Sequence, residues 1–320
     1  MEVNGVARSR RSSPLIHTHK VTGPEEKSSE TQQHSATRPD SVLLSWDQIL
    51  PWQQDNRFII SHYRPASFSY LRSLKSLGWL HNQSVNIYTH LLGAVFFVAS
   101  ALWFHRELAV RYQSASRTDV FVFDCFFLGS TLCLAFSASF HTLTNHSAEV
   151  ARSWLLFDMI GIVCLTTSSF FPGVYYGFYC EPEVIRTYWS MIVLLGGGCA
   201  AVVAIPRFQT IQWKHFRTAM FVAVGLSGVL PMSHAVRLFG IPQANLQMGW
   251  SYFVMEAVCY ISGAIFYATK LPERWWPGRF DVWGNSHQYF HILVVLGALA
   301  HFAGITTAFH YNHDPSTRRC

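Results

Sequence analysis

Charged side chains are scarce: Asp, Glu, Lys and Arg make up 13% of the 320 residues, against roughly 25% in an ordinary soluble domain. That deficit excludes a fully water-facing surface and points to lipid as the solvent. Recognisable soluble-enzyme motifs are also missing. There is no P-loop, nucleophile elbow, HExxH or cysteine cluster, so the chemistries those motifs support are set aside. Gly196-Gly197-Gly198 lies inside an apolar stretch and not between a strand and a helix, a place for close helix packing and not for cradling phosphate. None of the seven cysteines has CxxC spacing. Cys125, Cys133, Cys164, Cys199 and Cys259 fall in apolar stretches and read as small core residues, and Cys180 and Cys320 lie in polar segments. Neither a disulfide framework nor a cysteine metal site is expected.

The first 43 residues lack aromatic side chains, are rich in Ser, Thr, Arg, Glu and Gln, and cannot bury enough surface to offset ordering. They are expected to be disordered. No apolar core follows Arg8, Arg10 and Arg11, so this tail does not read as a secretory signal peptide.

What the chain does have is apolar length. Half of its residues are hydrophobic, in stretches close to the roughly 20 residues that cross a bilayer as a helix. Seven spans are expected, at about 86–105, 119–142, 153–177, 187–206, 216–238, 249–270 and 286–309. The fold class is therefore an all-α membrane protein, a seven-transmembrane helix bundle. Before it, Phe68, Leu71, Leu74 and Leu77 recur at three-residue steps opposite Arg72, Ser73, Lys75 and Ser76. That pattern predicts a short interfacial helix within 63–80. The organisation is a polar tail (1–43), a segment carrying the amphipathic helix (44–85), the transmembrane domain (86–310) and a short C-terminal tail (311–320).

The formal net charge of +6 is spread over the tail and the loops that flank the spans, so a membrane surface explains it and nucleic acid is not an expected partner. Arg64, Arg72, Lys75, Arg152, Arg207, Lys214, Arg217, Lys270, Arg274 and Arg279 fall on the N-terminal side of the membrane. Arg106, Arg111, Arg117, Arg186, Arg318 and Arg319 fall on the other. The excess places the N-terminus in the cytoplasm and, with seven spans, the C-terminus outside.

His287 and His291, at i and i+4 in the last span, stack on one helical face where they can share a metal. Such a pair is more often satisfied by neighbouring polar groups. Topology adds to it, because the second span ends at His141, the third starts with Asp158 in its early turns, and the seventh starts at His287, all at one membrane level. Three histidines can hold a zinc ion with one position left for water. Ser137 lies one turn before His141 and faces the same space, and Asp158 is costly in an apolar span unless it meets a partner there. His90, His234 and His301 read as buried hydrogen-bonding residues. His301 is ten residues past His291, about 15 Å along the axis, too far to share the ion. Asp124, Arg237 and Glu256 belong to the opposite face, where Arg237 could pair with Glu256.

These motifs resemble the PAQR family, which includes adiponectin receptors, fungal Izh-type proteins and bacterial hemolysin-III-like proteins. The resemblance runs over 58–310. It rests on His81-Asn82-Gln83-Ser84-Val85-Asn86-Ile87-Tyr88-Thr89-His90-Leu91-Leu92-Gly93, Ser137-Ala138-Ser139-Phe140-His141 and Phe157-Asp158-Met159-Ile160-Gly161. Lys270-Leu271-Pro272-Glu273-Arg274, Phe280-Asp281-Val282-Trp283 and Ser286-His287-Gln288 with His291 complete it. It implies that His141, His287 and His291 bind Zn2+, that Asp158 contacts the zinc-bound water, and that Ser137 is the serine beside the site. Members are implicated in receptor signalling, in lipid and zinc homeostasis and, for some, in ceramide hydrolysis. Two departures stand out: Gln83 replaces an expected acidic residue and His62 an expected glycine, neither expected to touch the metal shell.

Three functions follow as expectations. One is a zinc-dependent amide hydrolase whose substrate is a ceramide-like membrane lipid. Another is a receptor, with an extracellular ligand, in which zinc is structural and ties the second span to the seventh. A zinc or proton transporter lacks a ligand series across the membrane. The expected location is the plasma membrane or endoplasmic reticulum, and assembly into an oligomer is left open.

Overall fold

In lipid every backbone polar group must be satisfied within the protein, so apolar stretches of this length cross as helices. The computed structural model describes residues 42–112, 114–317 and 320. The polar tail lies almost wholly outside these, as do Arg318 and Arg319. Among the described residues the chain is helical and has no strand, only an isolated bridge between Leu44 and Tyr63. A short helix α1 (Tyr70–Lys75) precedes the bundle. The spans are α2 (Ser84–Arg111), α3 (Arg117–Leu143), α4 (Ala148–Gly177), α5 (Pro182–Ala204), α6 with α7 (Lys214–Leu226 and Val229–Met248), α8 (Trp250–Thr269) and α9 (Ser286–His313). Seven helical segments are long and apolar enough to cross a membrane, α6 and α7 counting as one within Ile211–Met248. Leu92, Leu102 and Leu194 project outward from them, a lipid-facing belt.

Helix ends follow local chemistry. Ser116 and Asp119 form a capping box at the start of α3, with Asp119 N–H donating to Ser116 Oγ (3.2 Å) and Ser116 N–H to Asp119 Oδ2 (2.8 Å). Asn285 Oδ1 accepts from Gln288 N–H at the start of α9. Gly249 joins α7 to α8 at φ +71°, and a Cβ there would lie 2.8 Å from the Gly304 backbone. Only glycine gives both the left-handed turn and the contact of that turn with α9. Gly161 does comparable work between α3 and α4, where a Cβ would meet Cys133 Cα at 2.8 Å. That approach brings Asp158, one turn before Gly161, to the level of Ser137, one turn after Cys133.

The interfacial helix is shorter than the 63–80 pattern suggests. It covers Tyr70–Lys75, followed by a 3-10 turn at Ser76–Gly78. Residues before it spend their backbone groups elsewhere: Tyr63 exchanges hydrogen bonds with Leu44 (2.7 and 3.0 Å), and Ser67 and Phe68 N–H donate to the Asn145 and His146 carbonyls. Its faces are informative. Ser73 and Ser76 are buried, whereas Leu71 and Leu74 are 62% and 52% exposed. The polar side packs on protein and the apolar side points away, the arrangement of a helix lying at a lipid interface.

The far face, opposite the segment 42–83, carries two ties. Asp119, fully buried, accepts from Tyr176 Oη–H (2.7 Å) and pairs with His313 Nε2 (3.0 Å), pinning the end of α9 to the start of α3. Cys180 and Cys320 form a disulfide. The sequence expectation of no disulfide framework is corrected here: two cysteines 140 residues apart lack any local spacing, and only the fold brings them together. The expected pairing of Arg237 with Glu256 is also replaced. Glu256 bonds His301 (2.8 Å), Asp124 bonds His105 (2.8 Å), and His234 meets the Tyr188 hydroxyl (3.0 Å).

Candidate metal centre

On the near face, the last turn of α3 presents His141 and the first two turns of α9 present His287 and His291. One ligand nitrogen from each lies within 4.8 Å of the others. His141 Nε2 and His287 Nε2 are 3.2 Å apart, and the three ring centroids are separated by 4.7 to 5.0 Å. An ion about 2.0 Å from each nitrogen in tetrahedral geometry needs them about 3.3 Å apart. One pair already has that spacing.

The other ring nitrogens are held from behind. His141 Nδ1 donates to Gln83 Oε1 (2.8 Å), whose acceptor character is set by the Asn86 Nδ2 donor at 2.9 Å. His291 Nδ1 donates to the Asn86 carbonyl (3.0 Å). Both histidines thus carry hydrogen on Nδ1 and turn an Nε2 lone pair toward the centre, as metal-ligating imidazoles do. The donor set fits a borderline divalent cation such as zinc. Gln83, set aside in the sequence reading as remote from the metal shell, contacts His141 directly. The signal was its place in the motif, and what hid it was the separation of the partners by 58 positions. His62, the other departure, has φ +65°, a left-handed conformation that explains why glycine is at home there.

Arg64 was counted only among basic loop residues. It is buried, and its guanidinium donates to the His141 and Thr142 carbonyls (2.6 and 2.9 Å), to Ser76 Oγ (2.7 Å) and to Thr144 Oγ1 (3.0 Å). A cation thereby satisfies the orphan carbonyls at the end of α3, where the helix dipole favours it. Burial lowers its pKa to about 9, which leaves it protonated at neutral pH. Burial and then Arg64 lower His81 to about 2, and neutral His81 accepts Gln83 N–H at Nδ1. Glu273, fully buried, accepts from Ser286 N–H (2.8 Å), the Ser286 hydroxyl and Asn56 Nδ2 (3.1 Å). That carboxylate fixes the start of α9 and with it His287.

The trio opens on a cavity of about 670 Å³ that also receives Ser137, Asp158 and His90. Ser137 and Asp158 share one wall of it, at the level that the Gly161–Cys133 approach sets. His90 stacks on His291 at 3.7 Å and bonds the His291 carbonyl (3.3 Å), so it supports a ligand without joining the trio. Toward the near face, Lys214 and Lys270 lie over the Tyr267 ring (4.7 and 5.5 Å) and flank Asp55 (3.0 and 3.9 Å). Burial lowers Lys270 to about 8 against the opposing pull of Asp55. Sequence reasoning missed this mouth, because its members come from three separate segments.

Fold and cavity together define a seven-helix membrane protein with a histidine cluster at one end. A family profile described as haemolysin-III related matches residues 78–302. The chain is 39% identical over 268 residues to the adiponectin receptor protein of Drosophila melanogaster, covering 82% of this chain and 59% of that one. It is 38% identical to progestin and adipoQ receptor-like protein 1 of Caenorhabditis elegans, covering 82% and 60%. It is 35% identical to the ADIPOR-like receptor IZH2 of Saccharomyces cerevisiae, covering 85% of each. The chain spans about three fifths of the length of the fly and nematode relatives. It belongs to the haemolysin-III-related, or PAQR, family of multi-pass integral membrane proteins.

Proposed function

We propose that this chain is a zinc-dependent hydrolase of a ceramide-like membrane lipid amide, acting in lipid and zinc homeostasis. The observation that carries the reading is the convergence of His141, His287 and His291 on a cavity whose wall also holds Asp158 and Ser137. When bound, zinc supplies Lewis-acid activation of water and of the amide carbonyl. Asp158 takes the proton released on attack and returns it to the leaving amine. Ser137, on the same wall, is placed to orient the carboxyl, and Gln83 and Asn86 hold two of the imidazoles. The apolar walls admit an acyl chain and exclude bulk water. Lys214 and Lys270 give the cavity a cationic mouth for a polar lipid head.

The N-terminus is read as cytoplasmic, in the plasma membrane or endoplasmic reticulum. The basic near-face loops support this orientation. The Cys180–Cys320 disulfide on the far face adds independent support, since such bonds persist on the oxidising side of a membrane. Catalysis is tested on purified Asp158→Asn protein, with zinc content and ceramide turnover measured on one sample. Zinc should be retained while turnover falls by about 100- to 10,000-fold, the usual cost of losing a positioned general base.

The second reading is a signalling receptor in which the metal only joins α3 to α9. The names of the fly and nematode relatives favour it. Full zinc with no turnover of any ceramide by wild-type protein would select it.

A further inference from the structure

Deep in the cavity, away from the histidine trio, lies a second polar group that the chemistry above does not use. His301 is 3% exposed and lines the cavity with Glu256 and Tyr260. Its Nδ1 bonds Glu256 Oε2 (2.8 Å), which leaves Nε2 buried without a partner. The Tyr260 hydroxyl, one turn from Glu256 on the same face of α8, is likewise buried and unpartnered. Phe126 and Phe253 flank the His301 ring at 4.8 and 5.1 Å, apolar neighbours that offer Nε2 no partner. Orphan polar atoms at membrane depth carry a large desolvation cost. Both atoms belong to residues that line one cavity, where a ligand group could relieve them.

We propose that His301 and Tyr260 bind a hydroxyl group carried partway along the acyl chain of the lipid. The chemistry selects this class. With Nδ1–H given to Glu256, His301 Nε2 is a lone pair that accepts a hydrogen bond, and the Tyr260 O–H donates one. A hydroxyl satisfies both at once, a keto oxygen only the second, and a methylene neither. Position selects the chain length. His301 follows His291 by ten residues on one helix, about 15 Å. At about 1.2 Å per atom of an extended chain, that distance is roughly twelve atoms from the metal end. The inference rests on the lipid reading above, and its test reads binding and not turnover.

The experiment uses the full chain, zinc-loaded, in lipid nanodiscs, and native mass spectrometry to follow N-octadecanoyl-sphingosine and its 12-hydroxyoctadecanoyl and 6-hydroxyoctadecanoyl analogues. The 12-hydroxy lipid should bind about tenfold more tightly than the plain one, as two added hydrogen bonds in a dry site imply, and the 6-hydroxy lipid should not. Tyr260→Phe removes one oxygen without changing shape and should take away most of the advantage while leaving plain ceramide binding unchanged. His301→Leu should abolish the remainder. Equal binding of plain and 12-hydroxy lipids to wild-type protein, or an advantage that survives both substitutions, overturns the subsite and leaves the hydrolase reading standing. Failure of every ceramide to bind overturns both.

Discussion

Gln83 stands where the family resemblance leads one to expect a carboxylate, and its contact with His141 makes that difference chemical. A neutral amide oxygen orients the imidazole as a carboxylate would but adds no charge to raise its basicity. Gln83→Ala should lower metal affinity by about 10- to 100-fold, the usual effect of losing an outer partner of a ligating histidine. Gln83→Glu should restore or exceed the wild-type value. Competition with a chromogenic chelator measures both, and equal affinity in all three proteins would show that His141 is oriented by something else. At this scale the sequence was partly legible. Two histidines at i and i+4 are visible in any helix, and His141 follows from counting spans. Arg64 and Gln83 were not legible as supports, since charge and amide say nothing about which distant residue they will touch.

Helices reveal themselves through length and apolarity, and each of the seven spans lies where its apolar stretch puts it. The shorter elements depend on who takes the backbone hydrogen bonds. The 63–80 pattern shows helical spacing, yet residues before Tyr70 are drawn into bonds with Leu44, Asn145 and His146. The turn at Gly249 offers the clearest test of an element-level contact. Gly249→Ala introduces a methyl 2.8 Å from the Gly304 backbone at a left-handed position, and strain of this kind costs on the order of 1–3 kcal/mol. The detergent-solubilised variant should unfold at a lower temperature than wild type. An unchanged melting temperature would mean that α7, α8 and α9 are not clamped at this point. His301 and Tyr260 sit on the two helices this clamp joins, so the same variant should loosen the cavity floor before it affects the histidine trio.

For the whole molecule, the two faces differ in kind. The near face is basic, aromatic and dense with side-chain hydrogen bonds, whereas the far face is closed by a buried Asp–His pair and a disulfide. On intact cells, a membrane-impermeant maleimide should label Cys180 and Cys320 only after treatment with an impermeant reductant. Labelling that requires opened cells would reverse the orientation. Basic-residue counting points to the proposed orientation from sequence, but the disulfide was invisible there, since pairing of distant cysteines is a property of the folded chain and not of their spacing.

The Cys180–Cys320 bond has one more consequence, which is topological. It converts the chain from α5 to α9 into a closed covalent ring, with α1 to α4 as an open arm attached at Cys180. His287 and His291 belong to the ring and His141 to the arm. A shared ion would thus cross-link two covalent parts of different topology. A single cut between α5 and α6 would leave both fragments joined until the disulfide is reduced, so nicked protein would run as one species on a non-reducing gel and retain its full complement of imidazoles.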